Sequence, residues 1–365
     1  MKLKILVFLL LYSSGIIYAQ NDPRENFKFA KFNYDKGKFE EALNFLNNAL
    51  DEDDQYINAY YLRAETYYAL EQYYNAILDI NRIFKIDNTI NSSTAGYYLT
   101  RGKSFLALDD LSNANADFLK AKSYSTSDPF VHYYLAELRY KTRQYIEALE
   151  ELDTAIMIDQ DNPSFHALRA EIKIDHYDPV IGSEEYQDIL SDINIAIALD
   201  DQNHEYYRIR GEFLKAMGEM EQAMEDFDSM IRLSPREDNA YTNRGLLKMS
   251  QYEYRGAALD FTKSILLNPE LECNYRYRGL CYNNLNNLSE AYKDFSKSIE
   301  MLSEKLNDTA DAYQIKNTLG ETYILRGHCL NLMGNNPQAC RDFLRAHNLG
   351  LRKGLNYYRK YCGIY

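Results

Sequence analysis

Cysteine is missing from the first 272 residues of this 365-residue chain, tryptophan is missing altogether, and beyond residue 19 no stretch is apolar enough to span a bilayer. The first absence leaves no thiol near Gln20 to carry a lipid, so an N-terminal lipoprotein anchor is not expected. Phosphate-loop, zinc-helix and nucleophile-elbow motifs are also absent. His176, His204, His328 and His347 lack metal-ligand spacing, and the acidic run Asp51 to Asp54 opens like a calcium loop without its glycine or closing glutamate. No catalytic residue, metal site or cofactor is therefore expected, and the chain reads as a non-enzyme.

Residues 1–19 stand apart from the rest. Lys2 and Lys4 precede the apolar run Ile5 to Leu11, and Ile17, Tyr18 and Ala19 lead to a cut at Gln20, the pattern of a secretory signal peptide. The alternative, a transmembrane anchor, needs about 18 to 20 apolar residues, more than this run supplies. The mature chain is expected to be exported, to the periplasm or the outer membrane if the source is bacterial, with no transmembrane span.

Basic residues are scarce where a nucleic acid would need them. Between Gln20 and Gln202 there are 17 lysines and arginines against 33 acids, whereas His204 to Tyr365 carries 22 against 21. A nucleic-acid partner is disfavoured by this balance, and the acidic half suits solubility or a basic protein partner.

What the chain has in abundance is repetition. Tyr207, Arg210, Gly211, Ala223, Asp226, Phe227 and Pro235 recur 34 residues later as Tyr241, Arg244, Gly245, Ala257, Asp260, Phe261 and Pro269. They return once more as Tyr275, Arg278, Gly279, Ala291, Asp294 and Phe295. A constant period of this length with two helix-spaced apolar stripes marks a helical solenoid, and it resembles the tetratricopeptide repeat. Where that family places tryptophan near the start of the first helix, this chain has tyrosine or histidine. The resemblance implies an all-α solenoid, a right-handed superhelix of helix-turn-helix units, that holds a protein or peptide partner in its groove.

In this register the chain holds about nine repeats. Residues 20–202 carry repeats one to five and residues 203–352 carry six to nine; residues 353–365 form a capping helix. Four extra residues near Asn88 to Thr94, seven near His176 to Tyr186 and fourteen between Ala291 and Ala339 interrupt the period. The last insertion is expected to lengthen helices around Met301 to Thr322. His132 and His166 occupy the large aromatic slot of their repeats and are expected in the core.

One correlation is sharper than the resemblance. Seven repeats have arginine before the small residue of the first helix, and the same seven have aspartate at a fixed slot of the second: Arg63 with Asp79, Arg101 with Asp117, Arg169 with Asp192, Arg210 with Asp226, Arg244 with Asp260, Arg278 with Asp294, and Arg326 with Asp342. The two repeats without the arginine, at Phe29 and Leu135, have Phe45 and Glu151 in the other slot. A ladder of partly buried ion pairs is expected; a row of arginines for anionic ligands is the alternative.

In tetratricopeptide proteins two slots seven residues apart on the first helix line the concave groove. Here they hold Phe27 and Tyr34, Tyr61 and Tyr68, Leu99 and Leu106, then Tyr133 and Tyr140, an apolar strip suited to an extended peptide or helix. With 34 tyrosines in the chain, packing against neighbouring helices is the competing reading. From the sixth repeat the slots turn polar or basic, as Arg208 and Lys215 or Arg276 and Asn283. The lysine and asparagine set of chaperone-tail clamps is not present: Phe27 and Lys31 stand there in the first repeat.

Five cysteines lie in the last 93 residues. Cys273 and Cys281, eight apart in one helix, are about 12 Å distant and cannot bond. Cys340 and Cys362 can meet if the terminal helix folds back; otherwise they remain buried thiols. The function expected is that of an exported scaffold or adaptor binding a protein or peptide partner, with a chaperone-like or assembly factor for envelope or secreted polypeptides as the alternative.

Overall fold

The computed structural model describes residues 22–87, 89, 93–308 and 312–363, so the signal peptide expected at residues 1–19 lies outside the described residues. Among these residues the structure is helical throughout and divides into two compact units, up to Asp178 and from Pro179.

The first unit contains α1 (Pro23–Tyr34), α2 (Phe39–Glu52), α3 (Ile57–Ala69), α4 (Tyr73–Ile86), α5 (Thr94–Ala107), α6 (Leu111–Tyr124), α7 (Pro129–Lys141), α8 (Tyr145–Ile158) and α9 (Pro163–His176). The second contains α10 (Glu184–Leu199), α11 (His204–Met217), α12 (Met220–Leu233), α13 (Asp238–Ser250), α14 (Tyr254–Leu267), α15 (Glu272–Asn284), α16 (Leu288–Asp308), α17 (Ala312–Leu332), α18 (Asn336–Asn348) and α19 (Arg352–Cys362). Within each unit every helix packs on the next, and the first helix of a repeat also touches the first helix of the following repeat. That arrangement makes two layers, with first helices on one face and second helices on the other.

Local chemistry sets the boundaries. Asp22, Asp128 and Asn162 accept hydrogen bonds from the backbone two residues on, each followed by proline at the first helical position. The turn inside a repeat forces one residue into the left-handed region: glycine at Gly37, Gly218 and Gly334, but Glu71, Asp109, Arg143, Tyr252 and Asn286 elsewhere. In the fifth repeat the insertion leaves residues 177–183 non-helical, and the division between the two units falls within it. The fourteen-residue insertion extends α16 and α17 to 21 residues each. The four-residue insertion at Asn88 to Thr94 falls largely outside the described residues.

The core of each unit is a column of alanines and phenylalanines from the repeat slots. Ala114, Phe118, Ala223, Phe227, Ala257, Phe261, Ala291, Phe295, Ala339 and Phe343 are all fully buried. Small residues on the first helix admit these rings. A Cβ placed on Gly102 would lie 2.6 Å from Phe118 Cε1, in a site where the ring is walled in and cannot retreat. In an open helix, glycine to alanine gains about 1 kcal/mol. Here Gly102→Ala is expected to lose about 1 to 3 kcal/mol through overpacking, read as a lowered midpoint in thermal unfolding; a raised midpoint contradicts the close crossing.

Candidate functional site

The arginines and aspartates of the repeat slots meet. Arg63 donates from Nε and Nη2 to the two oxygens of Asp79 at 2.7 and 2.8 Å, and the same fork joins Arg101 to Asp117, Arg278 to Asp294 and Arg326 to Asp342. Arg210 holds Asp226 and Arg244 holds Asp260 in the same way, and Lys248 adds a third donor to Asp260 at 2.9 Å. Side chains of the aspartates are 3 to 8 % exposed, those of the arginines 13 to 26 %. Arg169 and Asp192 fall in different units, and Arg169 Nη1 donates to Asp153 at 2.7 Å.

The third edge of each guanidinium reaches back to the repeat before. Arg63 Nη1 bonds Asn47 at 2.8 Å, Arg101 bonds Asn81, Arg210 bonds Asn194, Arg244 bonds Asp228, Arg278 bonds Thr262 and Arg326 bonds Ser296. Each acceptor stands two residues after the aspartate slot. The signal was present in the sequence: that position is an oxygen-bearing residue wherever the next repeat has the arginine. It is Leu119 before the repeat with Leu135, and Leu344 where no arginine repeat follows. With all three nitrogens engaged, these arginines form a structural clasp between helices.

Burial pushes the Asp79, Asp226 and Asp294 carboxyls above the ordinary range, against the pull of their arginines, while the hydrogen bonds and charge of the aspartates outweigh burial and lift Arg63, Arg210, Arg278 and Arg326. The two partners thus point in opposite directions on whether pairing or desolvation wins. The pairs stay ionised, because a neutral aspartic acid would leave a buried guanidinium without its counter-charge. Tyrosine rings cover the cations, as Tyr241 does Arg244 at 5.8 Å and Tyr323 does Arg326 at 5.5 Å.

The two repeats without the pair solve the slot differently. Phe29 and Phe45 pack ring to ring at 5.6 Å. Glu151 accepts from His132 Nδ1 at 2.6 Å and Lys122 Nζ at 2.9 Å, with Arg139 at 3.2 Å. His132 is buried as its slot implied, but it serves a carboxylate as well as the core. Burial alone would raise the Glu151 carboxyl; the Lys122 and His132 hydrogen bonds, with the Lys122 and Arg139 charges, overcome it and hold the group below 4.5.

The first helices of the first unit carry the aromatic strip. Phe27 meets Tyr56, Tyr34 meets Phe39, Tyr61 meets Tyr97, Tyr68 meets Tyr73, Tyr133 meets Phe165 and Tyr140 meets Tyr145, at centroid distances of 5.0 to 6.1 Å. These rings are half-buried. Leu99 and Leu106, at 9 and 4 % exposure, pack with Ala114, Phe118 and Val131 and offer no surface. Beside the rings lie polar residues that the seven-residue spacing skipped, Thr100 buried and Lys103 and Glu65 mostly so. Thr100 donates to Glu65, Lys103 Nζ lies 3.6 Å from Glu65 and 4.5 Å over the Tyr68 ring, and Tyr140 donates to Asp175 at 2.6 Å. Burial, with Glu65 nearby, pushes the Tyr34 and Tyr61 hydroxyls to about 12, and burial raises the Glu137 carboxyl. The face therefore offers neutral phenols beside carboxylates and one held ammonium.

On the matching face of the second unit, α11 and α13 carry a polar network. Arg208 is gripped by Glu205 and Glu212 at 2.5 and 2.9 Å, and Asn243 links Glu212 to Lys215. Cys340 and Cys362 are bonded, with Cα atoms 5.9 Å apart, joining α18 to α19; Cys273, Cys281 and Cys329 are free thiols. Among the described residues no helix is long and apolar enough to cross a membrane.

The fold is a tetratricopeptide-type repeat. A model of the family described as anaphase-promoting complex, cyclosome, subunit 3 matches residues 5–82. A search of curated proteins finds no match. Among solved structures, the Cut9–Hcn1 hetero-tetramer of the APC/C is similar with a TM-score of 0.53 at 12 % identity, over 89 % of this chain and 59 % of that one. The Pseudomonas aeruginosa pilF protein gives 0.51 at 15 % identity, over 64 and 97 %. YrrB, described as a TPR protein with an unusual peptide-binding site, gives 0.40 at 17 % identity, over 53 and 95 %. Repeat proteins of this type generally mediate protein or peptide interactions and are typically not enzymes.

Two outcomes follow for stability. Asp260→Ala removes the partner of Lys248 and leaves Arg244 only the exposed Asp228, and is expected to cost about 3 to 5 kcal/mol; a thermal melt like that of the wild type would mean that the pair is only a surface contact worth about 0 to 1 kcal/mol. Because the folded Glu151 carboxyl lies below 4.5, its contribution is complete above that pH and is lost as the pH falls through the folded value. Glu151→Gln is thus expected to be less stable than wild type at pH 7, with the gap closing as the pH falls through the depressed folded value. A gap that widens in acid refutes this assignment.

Proposed function

We propose that this chain is a non-enzymatic, exported scaffold or adaptor that binds a protein or peptide segment along the first-helix face of its first unit. The observation that carries the reading is the set of half-buried tyrosines on three of the first helices of this unit, Tyr34 on α1, Tyr61 and Tyr68 on α3, and Tyr133 and Tyr140 on α7. Phenol rings give large contact area for little lost side-chain freedom, and their hydroxyls can meet a peptide backbone. Glu65, Glu137 and Asp175 beside them favour a segment that carries lysine or arginine, in keeping with the excess of acids from Gln20 to Gln202.

Export rests on the residue pattern of positions 1–19, which places the working protein in the periplasm or at the outer membrane if the source is bacterial.

Cross-linking in the native envelope tests the reading. One stoichiometric partner is expected, its capture weakened at least about tenfold by Tyr68→Ser with Tyr133→Ser and reduced by added salt. Many weak substoichiometric partners would favour a chaperone, and undiminished capture by the double variant would remove the groove from the account.

A further inference from the structure

The ninth repeat holds a cavity that the groove reading does not use. It has a volume of about 200 Å³ and is lined by Tyr292 of α16, Arg326 and Leu330 of α17, and Gln338, Arg341, Asp342 and Arg345 of α18. At about 30 Å³ per water it has room for roughly six or seven waters, enough for an oxyanion and part of its carrier. The four α18 residues are spaced i, i+3, i+4 and i+7, so they share one helix face.

The charges in this cavity are unequal. Asp342 is already matched by the Arg326 fork, and the third edge of Arg326 goes to Ser296. Arg341 makes one long hydrogen bond, from Nε to the Pro337 carbonyl at 3.4 Å, and Arg345 reaches Asp342 with a single nitrogen at 3.3 Å. Arg345 also lies 5.5 Å over the Tyr323 ring; since a guanidinium carries five donors, these contacts leave most of the donors on each fork open. Two like charges share one wall, with the nearest carboxylate already neutralised.

Neither arginine is a repeat property. The slots just before and three after the aspartate read Leu78 and Arg82, Ala116 and Lys120, Ser191 and Ile195, Glu225 and Ser229, Leu259 and Lys263, and Lys293 and Lys297 in the other arginine repeats. Only the ninth has arginine at both. The surrounding segment is also basic, with eight lysines and arginines against two acids from Ala312 to Tyr365 in a chain whose formal net charge is -13.

We infer that this cavity binds a phosphate group, with Arg341 and Arg345 as paired forks and Gln338 and Tyr292 as neutral donors. Planar guanidinium forks match the oxygen spacing of phosphate, and a dianion removes the repulsion between the two cations. A soluble compound and a lipid headgroup are the two sources of such a phosphate, and the chemistry recognised is the same.

Calorimetric titration of the purified protein with inorganic phosphate, alongside flotation with vesicles of phosphatidylcholine with and without phosphatidic acid, tests the site. Saturable binding in at least one arm is expected. Arg341→Gln with Arg345→Gln should weaken it at least about tenfold, and lysine at both positions should restore part of it, since charge returns without the fork. Phosphate binding points to a soluble source, and binding confined to phosphatidic acid vesicles points to a lipid. Both side chains project from an exposed surface, and circular dichroism confirms that the variants are folded. Wild type silent in both arms, or a glutamine double variant that binds as well as wild type, would overturn the site. None of these readouts involves the tyrosine face.

Discussion

The structure depends on the way one guanidinium is shared between three helices. Its fork closes on an aspartate in the second helix of its own repeat, and its remaining edge bonds an oxygen in the second helix of the repeat before. Leucines and phenylalanines fill the space between helices but tolerate sliding, because apolar contact has no direction. A planar fork against a carboxylate does not. In a stack where each unit touches only its neighbours, a directional tie at every step sets where the next pair of helices must sit. The clasp has a cost, since ions withdrawn from water gain little net stability, and the Phe29 and Phe45 pair shows that an apolar contact can occupy the same slots. What the ions add is register.

That rigidity is the condition for a binding face. The tyrosines of α3 and α7 project from helices held by clasps or by the Glu151 cluster, so their spacing is fixed before a partner arrives. The second unit uses the same slots differently: Asn243, Glu212 and Lys215 satisfy one another and leave little for a partner to bond. At the ninth repeat α18 carries Arg341 and Arg345 at slots that face solvent in inner repeats too, as at Leu78 and Leu259, and the bond between Cys340 and Cys362 joins it to the cap.

The repeat period, the small residues at the helix crossing and the co-occurrence of arginine with aspartate were all legible in the sequence, because each is a one-to-one spacing rule. Less legible was anything that depends on which way a helix turns its side. Leu99 and Leu106 satisfy the groove spacing yet lie in the core, packed with Ala114, Phe118 and Val131. Glu65 and Lys103 lie mostly buried beside the rings, 3.6 Å apart. The oxygen acceptor two residues after the aspartate was visible in the letters, but its meaning requires the third edge of the guanidinium, a feature of geometry and not of composition. His132 was recognised as a core residue while its bond to Glu151 was not, because the partner lies 19 residues away in the adjoining helix.

The most direct test of the clasp is a double-mutant cycle between Arg101 and Asn81, the contact that joins one repeat to the last, using Arg101→Met and Asn81→Ala. Native-state hydrogen exchange of the α4 to α6 amides supplies the free energies locally, so that unfolding elsewhere does not enter. A coupling of about 0.5 to 3 kcal/mol between the two sites is the result expected of a shared guanidinium. Additive effects, within about 0.3 kcal/mol, would show that the arginine serves its own repeat alone and that register comes from apolar packing.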